Sequence, residues 1–286
     1  MVLSCIKGKI LAAEHIIIST HSSPDGDAIG SETALALAIK KLNKNVLIVN
    51  QDEVPAAFKF LEKHVEFKNP NIISNMDSAL IIALDVSDVL KMGPDVGTFI
   101  DSIHNKEIVF VSHHKPTKVE SDCPYIISEA ASSTGEIIYS LIKDELNVKI
   151  DTKTAEAIYT AIVSDTRSFR YSRTTAYSHR IAAELLELGI DAEGIQTKVY
   201  GSNTPGQIRV LGYMLQNFKQ SKSKKIAYSF IPMDILNNNK TSAQDTKSFI
   251  NQLLTIKGVE VAVLFRQDTE NKIKVSIRSK GAYSMD

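Results

Sequence analysis

An α/β fold, in which a doubly wound and mostly parallel sheet is joined to a smaller α/β domain, is predicted by two features of the sequence. Short, nearly continuous apolar runs alternate with longer stretches whose apolar residues recur at helical spacing. The runs also lack alternation of polar and apolar residues, which is typical of parallel strands that helices cover on both faces. Most of the chain is therefore expected to form one sheet between two layers of helices.

Four apolar runs predict strands of this sheet: His15–Ser19, Val46–Val49, Ala79–Leu84 and Ile108–Val111. Helical spacing predicts helices at Ala28–Leu42, Thr152–Val163 and Tyr177–Leu188. A further helix is predicted to begin after Ser132 or Ser133, because Glu136 follows at the spacing of a capping box. Gly189 suits the C-cap of the predicted helix Tyr177–Leu188.

The chain is predicted to divide into a first domain over residues 1–190, a helical linker over residues 191–224 and a second domain over residues 225–286. The helical pattern continues from Asp191 to Lys219, and the polar, basic segment Gln220–Lys225 follows it. The second domain is predicted to contain the strand Ile226–Ile231, the helix Ala243–Thr255 and the strands Val259–Phe265 and Ile273–Ile277.

The charge balance excludes a strong long-range attraction to polyanions. Lys and Arg total 33, as do Asp and Glu, so the formal net charge is zero and any nucleic-acid substrate should be small or held locally. The two cysteines are too few to staple 286 residues, which fits a reducing compartment. Lys7, Lys9 and Glu14 interrupt the N-terminal region before a signal peptide can form, and no apolar run approaches the roughly 18 residues of a membrane span. A cytoplasmic protein without a membrane partner is expected.

Six acidic and imidazole side chains follow apolar segments or lie in polar breaks after them: His21, Asp25, Asp27, Asp85, His113 and Asp165. An open parallel sheet has its ligand crevice at the carboxyl ends of its strands, so we expect these side chains to share one site. Carboxylate oxygens with imidazole nitrogens suit a divalent ion such as Mn²⁺ or Mg²⁺, whereas the lack of thiolates argues against a structural zinc site. The sequence therefore predicts a metal site in this crevice.

Each of these stretches also has an ordinary structural interpretation. The first stretch could be an ordinary turn with an N-cap aspartate, Asp85 could cap the helix that follows, and Asp165 could be a cap or a solvated helix end. The adjacent His113 and His114 point to opposite sides if their strand continues, and into one crevice if it turns there. Four such stretches on one side of the same α/β unit are hard to reconcile with independent caps, which favours the metal site.

The polar stretches resemble the motifs of a known enzyme family. They are His21–Ser31, Leu84–Asp88, Ser112–His114, Ala131–Glu136 and Ala161–Thr175. Together they are similar to the motifs of the DHH phosphoesterase family, and within it to the branch of bifunctional oligoribonucleases and pAp phosphatases, or nano-RNases. The resemblance implies that the first domain is a DHH catalytic domain and that the second is a DHH-associated substrate-binding domain.

The resemblance also implies two metal ions. One would be bound by His21, Asp25 and Asp85, and the other by Asp27, Asp85, His113 and Asp165. Mn²⁺ is the expected ion, with Mg²⁺ or Co²⁺ as alternatives. An ion pair bridged by Asp85 would activate a water and stabilise both the attacking and the leaving oxygen at phosphorus, without a covalent enzyme intermediate. Asp85 and His114 would be the catalytic residues, and His114 would face the scissile phosphate as a hydrogen-bond donor or general acid.

Two residues depart from the family pattern. Ser112 stands where the third motif of the family begins with aspartate, whose implied part is to orient and polarise a metal ligand. Serine supplies a hydrogen bond but no charge, and the loss of such a partner typically costs about 10–100-fold in affinity or activity, so weaker metal binding is expected. Arg167 stands where the family often has glycine, and it would either bring a positive charge near the crevice or form a solvated helix end.

The last predicted strand alternates basic or polar residues with apolar ones. Its two faces would carry Lys272, Lys274, Ser276, Arg278 and Lys280 on one side and Ile273, Val275 and Ile277 on the other. An ordinary half-buried strand with a solvated face is the alternative to phosphate capture. Arg278, Ser279 and Lys280 resemble the RSKG element of the DHH-associated domain, and Arg266 resembles part of its neighbouring strand. The resemblance implies that these four residues bind substrate together with His114.

The resemblance places a glycine-rich GGGH segment after this strand. The sequence given ends at Asp286 without one, and two alternatives stay open: the protein ends there, or it continues in a tail. If the segment is missing, base stacking and substrate affinity are expected to suffer more than metal binding.

The expected function is that of a cytoplasmic Mn²⁺-dependent phosphodiesterase that degrades very short RNA to mononucleotides and also acts as a 3′-phosphatase on pAp. Short single-stranded RNA, dinucleotides and pAp would be its partners, and the family resemblance hints at a homodimer. A phosphodiesterase of cyclic or linear dinucleotides is the close alternative with the same chemistry. From a different class, Ser112 and the lack of the GGGH segment motivate a nucleotide-binding regulator with weakened catalysis.

Overall fold

The structure is a computed structural model that describes residues 2–73, 76–116, 125–201 and 203–280. The chain divides into two compact units, Met1–Gly201 and Ser202–Asp286. Among the described helices, none combines the length and the apolar character that a bilayer crossing requires. Residues 281–286, which follow Lys280 in the region where the family has its GGGH segment, lie outside the described residues.

Six strands form the sheet of the first unit: β1 (His15–Ser19), β2 (Asn45–Val49), β3 (Phe67–Lys68), β4 (Ser78–Leu84), β5 (Asn105–Ser112) and β6 (Tyr125–Ile127). Their order is β3-β2-β1-β4-β5-β6, and every neighbouring pair is parallel. The chain runs outwards from β1 to β3 and returns to β4 on the other side of β1. The crevice of a doubly wound sheet therefore falls at the carboxyl ends of β1 and β4, and the predicted fold class is confirmed.

The helices of the first unit are α1 (Val2–Ala12), α2 (Gly26–Lys41), α3 (Pro94–Ser102), α4 (Thr134–Ser140), α5 (Thr152–Asp165), α6 (Ala176–Glu187) and α7 (Ala192–Tyr200). A π-helical turn, Leu141–Glu145, extends α4, and short 3₁₀ turns span Ala56–Leu61, Pro70–Ile72 and Val89–Met92. The sequence pattern does not predict α3, because its Pro94 and Gly97 are residues typical of loops. Gly189 follows α6 with φ +78°, as predicted for a C-cap.

Successive residues of the central strands face two different apolar cores. Ile16 and Ile18 pack with residues of α2 and α5, whereas Ile17 packs with residues of α3. All three side chains are at most 1% exposed, and burial of each contributes about 1.5–3 kcal/mol. The strands are thus covered on both faces, which explains why their sequences lack alternation, and their carboxyl ends form a rigid base for polar side chains.

The segment from Asp191 to Lys219 contains two helices where the pattern predicts continuous helix. The first is α7, which packs in the core of the first unit through Ile195, and the second is α8 (Pro205–Gln216), whose Val210 packs in the core of the second unit. Pro205 has no backbone N–H to continue α7, and Thr204 caps the new helix. The chain therefore passes from one unit to the other between these two helices.

The second unit contains a four-stranded sheet of β7 (Lys219–Gln220), β8 (Ile226–Ile231), β9 (Val261–Thr269) and β10 (Lys272–Ser279) in the order β10-β9-β8-β7. β8 and β9 are parallel, and the other two pairs are antiparallel. The helices α8, α9 (Met233–Asn238) and α10 (Ile250–Leu254) bury one face of this sheet, through residues such as Ala262 and Leu264. β10 is an edge strand.

The predicted helix Ala243–Thr255 is wrong. The structure has a 3₁₀ turn, Gln244–Thr246, followed by the short helix α10. The Ala243 carbonyl accepts the i+3 bond from the N–H of Thr246, as in a 3₁₀ turn, and it also accepts from the guanidinium of Arg266 on β9. Tertiary hydrogen bonding therefore overrides the local helical pattern.

The other face of the small sheet is apolar and exposed. Its β8 and β10 residues, which are 37–55% exposed, are Ile226, Tyr228, Phe230, Ile273, Val275 and Ile277. The register places Tyr228 and Ile277 on either side of Val263, so these side chains form one surface. The apolar side of β10 is thus exposed. The alternative of an ordinary strand with its apolar face buried does not describe β10.

Candidate metal centre

The turn between β1 and α2 carries the first polar stretch. Thr20 Oγ1 donates to the Leu84 carbonyl at 2.8 Å, which ties the end of β1 to the end of β4. Asp25 is the N-cap of α2, where its Oδ1 accepts from the N–H groups of Asp27 and Ala28 at 3.0 and 3.2 Å. The capping interpretation of Asp25 is therefore correct, and it leaves the second oxygen of the carboxylate without a role in the cap.

Glycine at position 26 is required by space. A Cβ on Gly26 would lie 2.0 Å from Ser164 Oγ, and one on Gly30 would lie 2.6 Å from the Ala157 carbonyl oxygen. Both glycines therefore allow α2 to approach α5 closely. This close approach is what brings the start of α2, which carries Asp27, near the end of α5, which carries Asp165.

Asp27 is completely buried, and backbone donors fix its carboxylate. The N–H of Thr134 donates to Oδ2 at 2.7 Å, and the N–H of Gly135 donates to Oδ1 at 2.9 Å. The motif Ala131–Glu136 thus supplies donors that orient an acid on a different element. Sequence reasoning missed this role, because backbone N–H groups leave no side-chain signal.

Asp85 stands at the end of β4 in a left-handed backbone conformation, with φ +55°. This conformation is uncommon outside glycine, asparagine and aspartate, and it turns the chain out of the strand at the crevice. The Asp85 N–H donates to the Val111 carbonyl at 2.9 Å, and Oδ1 accepts from Thr134 Oγ1 at 2.9 Å. Its Oδ2 lies 3.7 Å from His21 Nε2, and its Oδ1 lies 3.5 Å from His113 Nε2.

His113 Nε2 is the meeting point of the other acids. It lies 3.6 Å from Asp27 Oδ2, 3.5 Å from Asp85 Oδ1 and 3.6 Å from Asp165 Oδ2. The side chain is only 1% exposed, yet this nitrogen has no hydrogen-bond partner. A buried polar atom without a partner is costly, and one that faces three carboxylates has the surroundings of a cation ligand.

The six predicted ligands therefore lie together. Groups whose ligand atoms are within 4.8 Å of one another are His21 with Asp25 and Asp85, Asp27 with His113 and Asp165, and Asp85 with His113 and His114. The first two groups are the residues expected at the two ion positions, and Asp85 contacts both. Nitrogen and carboxylate oxygen donors of this kind fit Mn²⁺ or a similar divalent ion.

The electrostatics of the centre favour a positive ion. Burial, reinforced by the charges of Asp85, Asp165 and Asp25, raises the pKa of Asp27 well above its usual value. Burial and Asp85 likewise raise the pKa of Asp165 to about 7. Carboxylates that share a buried site cannot all ionise at low cost, and a divalent cation removes this repulsion.

The histidines respond to the same field in opposite directions. Burial lowers the pKa of His113 to about 4, which keeps its ring neutral, as a metal ligand must be. Burial also acts against protonation of His21, but the Asp85 carboxylate and the Ser22 carbonyl outweigh it and raise its pKa to about 9. In the metal-free chain, His21 is thus the local counter-charge of Asp85.

His114 differs from these residues because it is accessible. Its side chain is 55% exposed, and its Nε2 lies 3.9 Å from Asp85 Oδ1. Its backbone N–H donates to Ser112 Oγ at 3.0 Å, and Ser112 itself is fully buried. The hydroxyl of Ser112 therefore fixes the turn between the strand and the two histidines, and no charge stands at this position.

The stretch Ala161–Thr175 contains three arginines, of which sequence reasoning treated only Arg167. Arg167 has φ +49°, which accounts for glycine being suited to this position, and its guanidinium carbon lies 5.9 Å from the centre of the Tyr200 ring. Arg173 Nη1 contacts His113 Nδ1 at 2.7 Å. The positive charge beside the metal centre is thus that of Arg173.

The residues predicted to bind substrate in the second unit have different environments. Arg266 is 6% exposed, and its guanidinium donates to Asp268, the Ala243 carbonyl and Thr246 Oγ1. Arg278 and Lys280 are exposed, and Ser279 is half-buried. The donors of Arg266 are therefore already used within its own unit, whereas those of Arg278 face solvent.

Comparison with known proteins bears on the whole chain. The bifunctional oligoribonuclease and PAP phosphatase NrnA of Thermus thermophilus is 28% identical over 269 residues, which cover 94% of this chain and 77% of that protein. A "Probable manganese-dependent inorganic pyrophosphatase" of Bacillus cereus is 26% identical over 200 residues, which cover 68% of this chain and 62% of that protein. A crystal structure of an exopolyphosphatase-related protein from Bacteroides fragilis matches with a TM-score of 0.88 at 27% identity, covering 98% of this chain and 83% of the other.

The family models divide the chain in the same way as its two sheets. The DHHA1 domain matches residues 223–286, which contain the small sheet with the exception of β7. The DHH family N-terminal domain matches residues 15–162, which is just over half of the chain and contains all six strands of the large sheet. The resemblance found in the sequence motifs is confirmed, and the chain belongs to the DHH family.

Proposed function

We propose that this chain is a two-metal phosphodiesterase that degrades very short RNA to mononucleotides and removes the 3′-phosphate of pAp. The observation that carries the proposal is the buried, unpartnered Nε2 of His113 among three carboxylates. The substrate class is supported by the similarity to the Thermus thermophilus oligoribonuclease and PAP phosphatase over 94% of the chain. The dinucleotide-phosphodiesterase and regulator alternatives have no comparable support.

The proposed ion positions follow the two groups of donors. One ion would be held by His21, Asp25 and Asp85, and the other by Asp27, Asp85, His113 and Asp165. We propose Mn²⁺ at both positions, because the donors are hard oxygens with imidazole. The similarity to a protein of Bacillus cereus that is named as a probable manganese-dependent pyrophosphatase supports this choice. Divalent ions there would acidify water and stabilise negative charge on the phosphoryl oxygens.

Other groups of the chain perform the remaining tasks. The backbone N–H groups of Thr134 and Gly135 hold the Asp27 carboxylate in one orientation, so little reorganisation is needed when substrate binds. The exposed imidazole of His114, 3.9 Å from Asp85, can donate a hydrogen bond to the scissile phosphate or a proton to the leaving oxygen. The two oxygens of Asp85 face His21 Nε2 at 3.7 Å and His113 Nε2 at 3.5 Å.

The second unit is proposed to hold the substrate. Arg278 and Lys280 offer solvent-facing donors for phosphate at the end of β10, with the half-buried Ser279 between them, and the planar guanidinium of Arg278 suits bidentate contacts. We do not include Arg266 in this set, because its donors are used internally. The functional division proposed is a catalytic domain over residues 1–190 and a substrate-binding domain over residues 225–286, joined by residues 191–224. The homodimer and the cytoplasmic location stay predictions.

The proposal is tested with a substrate panel. The purified chain, stripped with EDTA and reloaded with Mn²⁺, Mg²⁺ or Co²⁺, is incubated with 5′-phosphorylated dinucleotides, pAp, a cyclic dinucleotide and pyrophosphate. We expect Mn²⁺-dependent release of mononucleotides from the dinucleotides and of phosphate from pAp. Tight binding of Mn²⁺ and nucleotide without turnover of any substrate would instead identify a regulator.

A further inference from the structure

Arg173 approaches the metal centre from the outer side of His113. It lies in the segment between α5 and α6, its side chain is exposed, and its Nη1 is 2.7 Å from His113 Nδ1. The opposite nitrogen of the same ring, Nε2, faces the three carboxylates. One imidazole thus connects the buried centre to an exposed cation.

In this contact Arg173 can only donate, because a guanidinium has no acceptor. The contact therefore forms in the tautomer in which His113 Nδ1 accepts with its lone pair. A neutral ring then carries its proton on Nε2, on the side of the carboxylates. In this tautomer, His113 has no lone pair to offer to a cation at Nε2.

A cation at Nε2 requires the other tautomer. The proton would then sit on Nδ1, where it would face the N–H of Arg173 across 2.7 Å. Two donors cannot share this contact, so the guanidinium must leave. The Ala131 backbone lies close to the His113 ring, and its carbonyl offers an acceptor for the ring N–H of that tautomer.

We propose that Arg173 is a metal-linked positioning residue, which occupies His113 in the metal-free chain and is displaced when the centre loads. This inference rests on the proposed function. The displaced guanidinium remains beside the centre, because its charge already acts on Asp165. There it meets the phosphate of a bound nucleotide, whose oxygens its planar fork matches.

The consequence is a linkage between metal and substrate. The Arg173 contact competes with the cation for His113, so it weakens metal binding in the absence of substrate. A phosphate that binds the displaced guanidinium favours the loaded state, and nucleotide should therefore tighten Mn²⁺ binding. Loss of Arg173 would abolish this coupling.

The first test compares Arg173→Met with Arg170→Met. Arg170 is an exposed arginine three positions earlier in the same segment, so its variant removes the same charge without the contact to His113. Calorimetric titration of the EDTA-stripped proteins with Mn²⁺ should show about threefold to tenfold tighter binding in Arg173→Met, which is the scale of one ordinary intramolecular hydrogen bond, and less than about a twofold change in Arg170→Met. Unchanged or weaker Mn²⁺ binding in Arg173→Met would overturn the inference.

The second test separates the positioning role from a merely structural one. Steady-state kinetics on pAp should show a raised KM with little change in kcat for Arg173→Met, and neither change for Arg170→Met. In addition, pAp (adenosine 3′,5′-bisphosphate) should tighten Mn²⁺ binding in the parent chain and not in Arg173→Met. Equal coupling in the two proteins would contradict the linkage.

The third test needs no metal and no activity. Nitrogen-15 NMR of the metal-free parent chain should show His113 with its proton on Nε2, assigned by the signal that is lost in His113→Gln, and Arg173→Met should lose this preference. A parent ring protonated at Nδ1 would overturn the inference even if the chain is an active enzyme. A chain that binds no Mn²⁺ would contradict the proposed function itself, and the tautomer measurement distinguishes the two failures.

Discussion

The two units of this chain use charge in opposite ways. In the first unit, Asp27 and Asp85 are buried within a few ångströms of Asp165, and backbone or hydroxyl donors hold them in place. In the second unit, Arg278 and Lys280 lie exposed at the end of an edge strand. Like charges are thus concentrated in one unit and spread over a solvated strand in the other.

The difference indicates that the buried charges of the first unit, rather than the exposed charges of the second, take part in the chemical step. Buried like charges raise the free energy of the metal-free fold, so they persist where a ligand of opposite charge compensates them. Exposed cations cost little, and they are free to move until a substrate orders them. Changes at the buried centre should therefore have larger effects on turnover than changes on the exposed strand.

The largest effect is expected at Asp85, whose oxygens lie near both groups of donors. Asp85→Ala and Asp85→Asn should lose both ions and lower kcat by about 10⁴-fold or more, because each variant removes the carboxylate that both ions are proposed to share. The asparagine variant also tolerates the positive φ, which separates loss of charge from backbone strain. Metal content and dinucleotide hydrolysis are measured, with Asp88→Asn, at the half-buried N-cap of the 3₁₀ turn Val89–Met92, as the control. Hydrolysis near the parent rate would refute the two-metal assignment.

The next effect concerns Ser112, which is fully buried and supplies no charge to the centre. Ser112→Asp should tighten Mn²⁺ binding by about tenfold, within the range for partners that orient a metal ligand. The same variant should lower the stability of the metal-free chain, because it adds a further buried carboxylate. Calorimetric titration and denaturant unfolding with EDTA check both results. Unchanged or weaker Mn²⁺ affinity would count against the role assigned to this position.

Two arginines of the second unit provide a matched pair. Arg278→Gln should raise KM for short RNA by about tenfold and leave the unfolding midpoint unchanged, because the residue is exposed and binds phosphate. Arg266→Met should lower the free energy of unfolding by about 2–3 kcal/mol, because Asp268 and the Ala243 carbonyl lose their donor. If both variants changed KM with no change in stability, the internal role of Arg266 would be wrong.

The smallest effect is a pH dependence of the metal-free chain. The pKa of Asp165 rises from its ordinary value of 3.8 to about 7 on folding, so the folded state binds this proton more tightly than the unfolded state does. Stability from this group is present below pH 4 and is lost as the pH rises through about 7. In EDTA, Asp165→Asn should reduce the loss of unfolding free energy between pH 5 and pH 7.5 by about 2 kcal/mol. A slope that is identical in parent and variant would contradict the buried repulsion.

Much of this architecture could be predicted from sequence, because apolar runs and helical periodicity report burial directly. β1 has the bounds predicted for it, and the fold class follows from such runs. The acidic residues at the ends of strands and helices could be predicted to share a site, because the topology brings these ends together at one crevice. These signals are local, and they needed only the rule for the carboxyl ends of parallel strands.

Other features depend on contacts that no local pattern reports. Arg266 and Arg278 both alternate with apolar neighbours along their strands, so the sequence pattern does not distinguish them. Their environments differ because β9 is a central strand and β10 is an edge strand. The donors of Thr134 and Gly135 to Asp27 are backbone groups 107 and 108 positions away. Arg173 lies in a motif that was recognised, but its contact with His113 depends on the path of the chain after α5.

The central claim is that the buried carboxylates form a site for two neighbouring cations. The most direct measurement is a titration of the EDTA-stripped chain with Mn²⁺, followed by electron paramagnetic resonance and by metal analysis after removal of free ion. The account predicts two ions per chain at saturation with a spin-coupled spectrum, and loss of the coupled signal in Asp85→Asn. Saturation at one ion or none, or two ions without magnetic coupling, would contradict it.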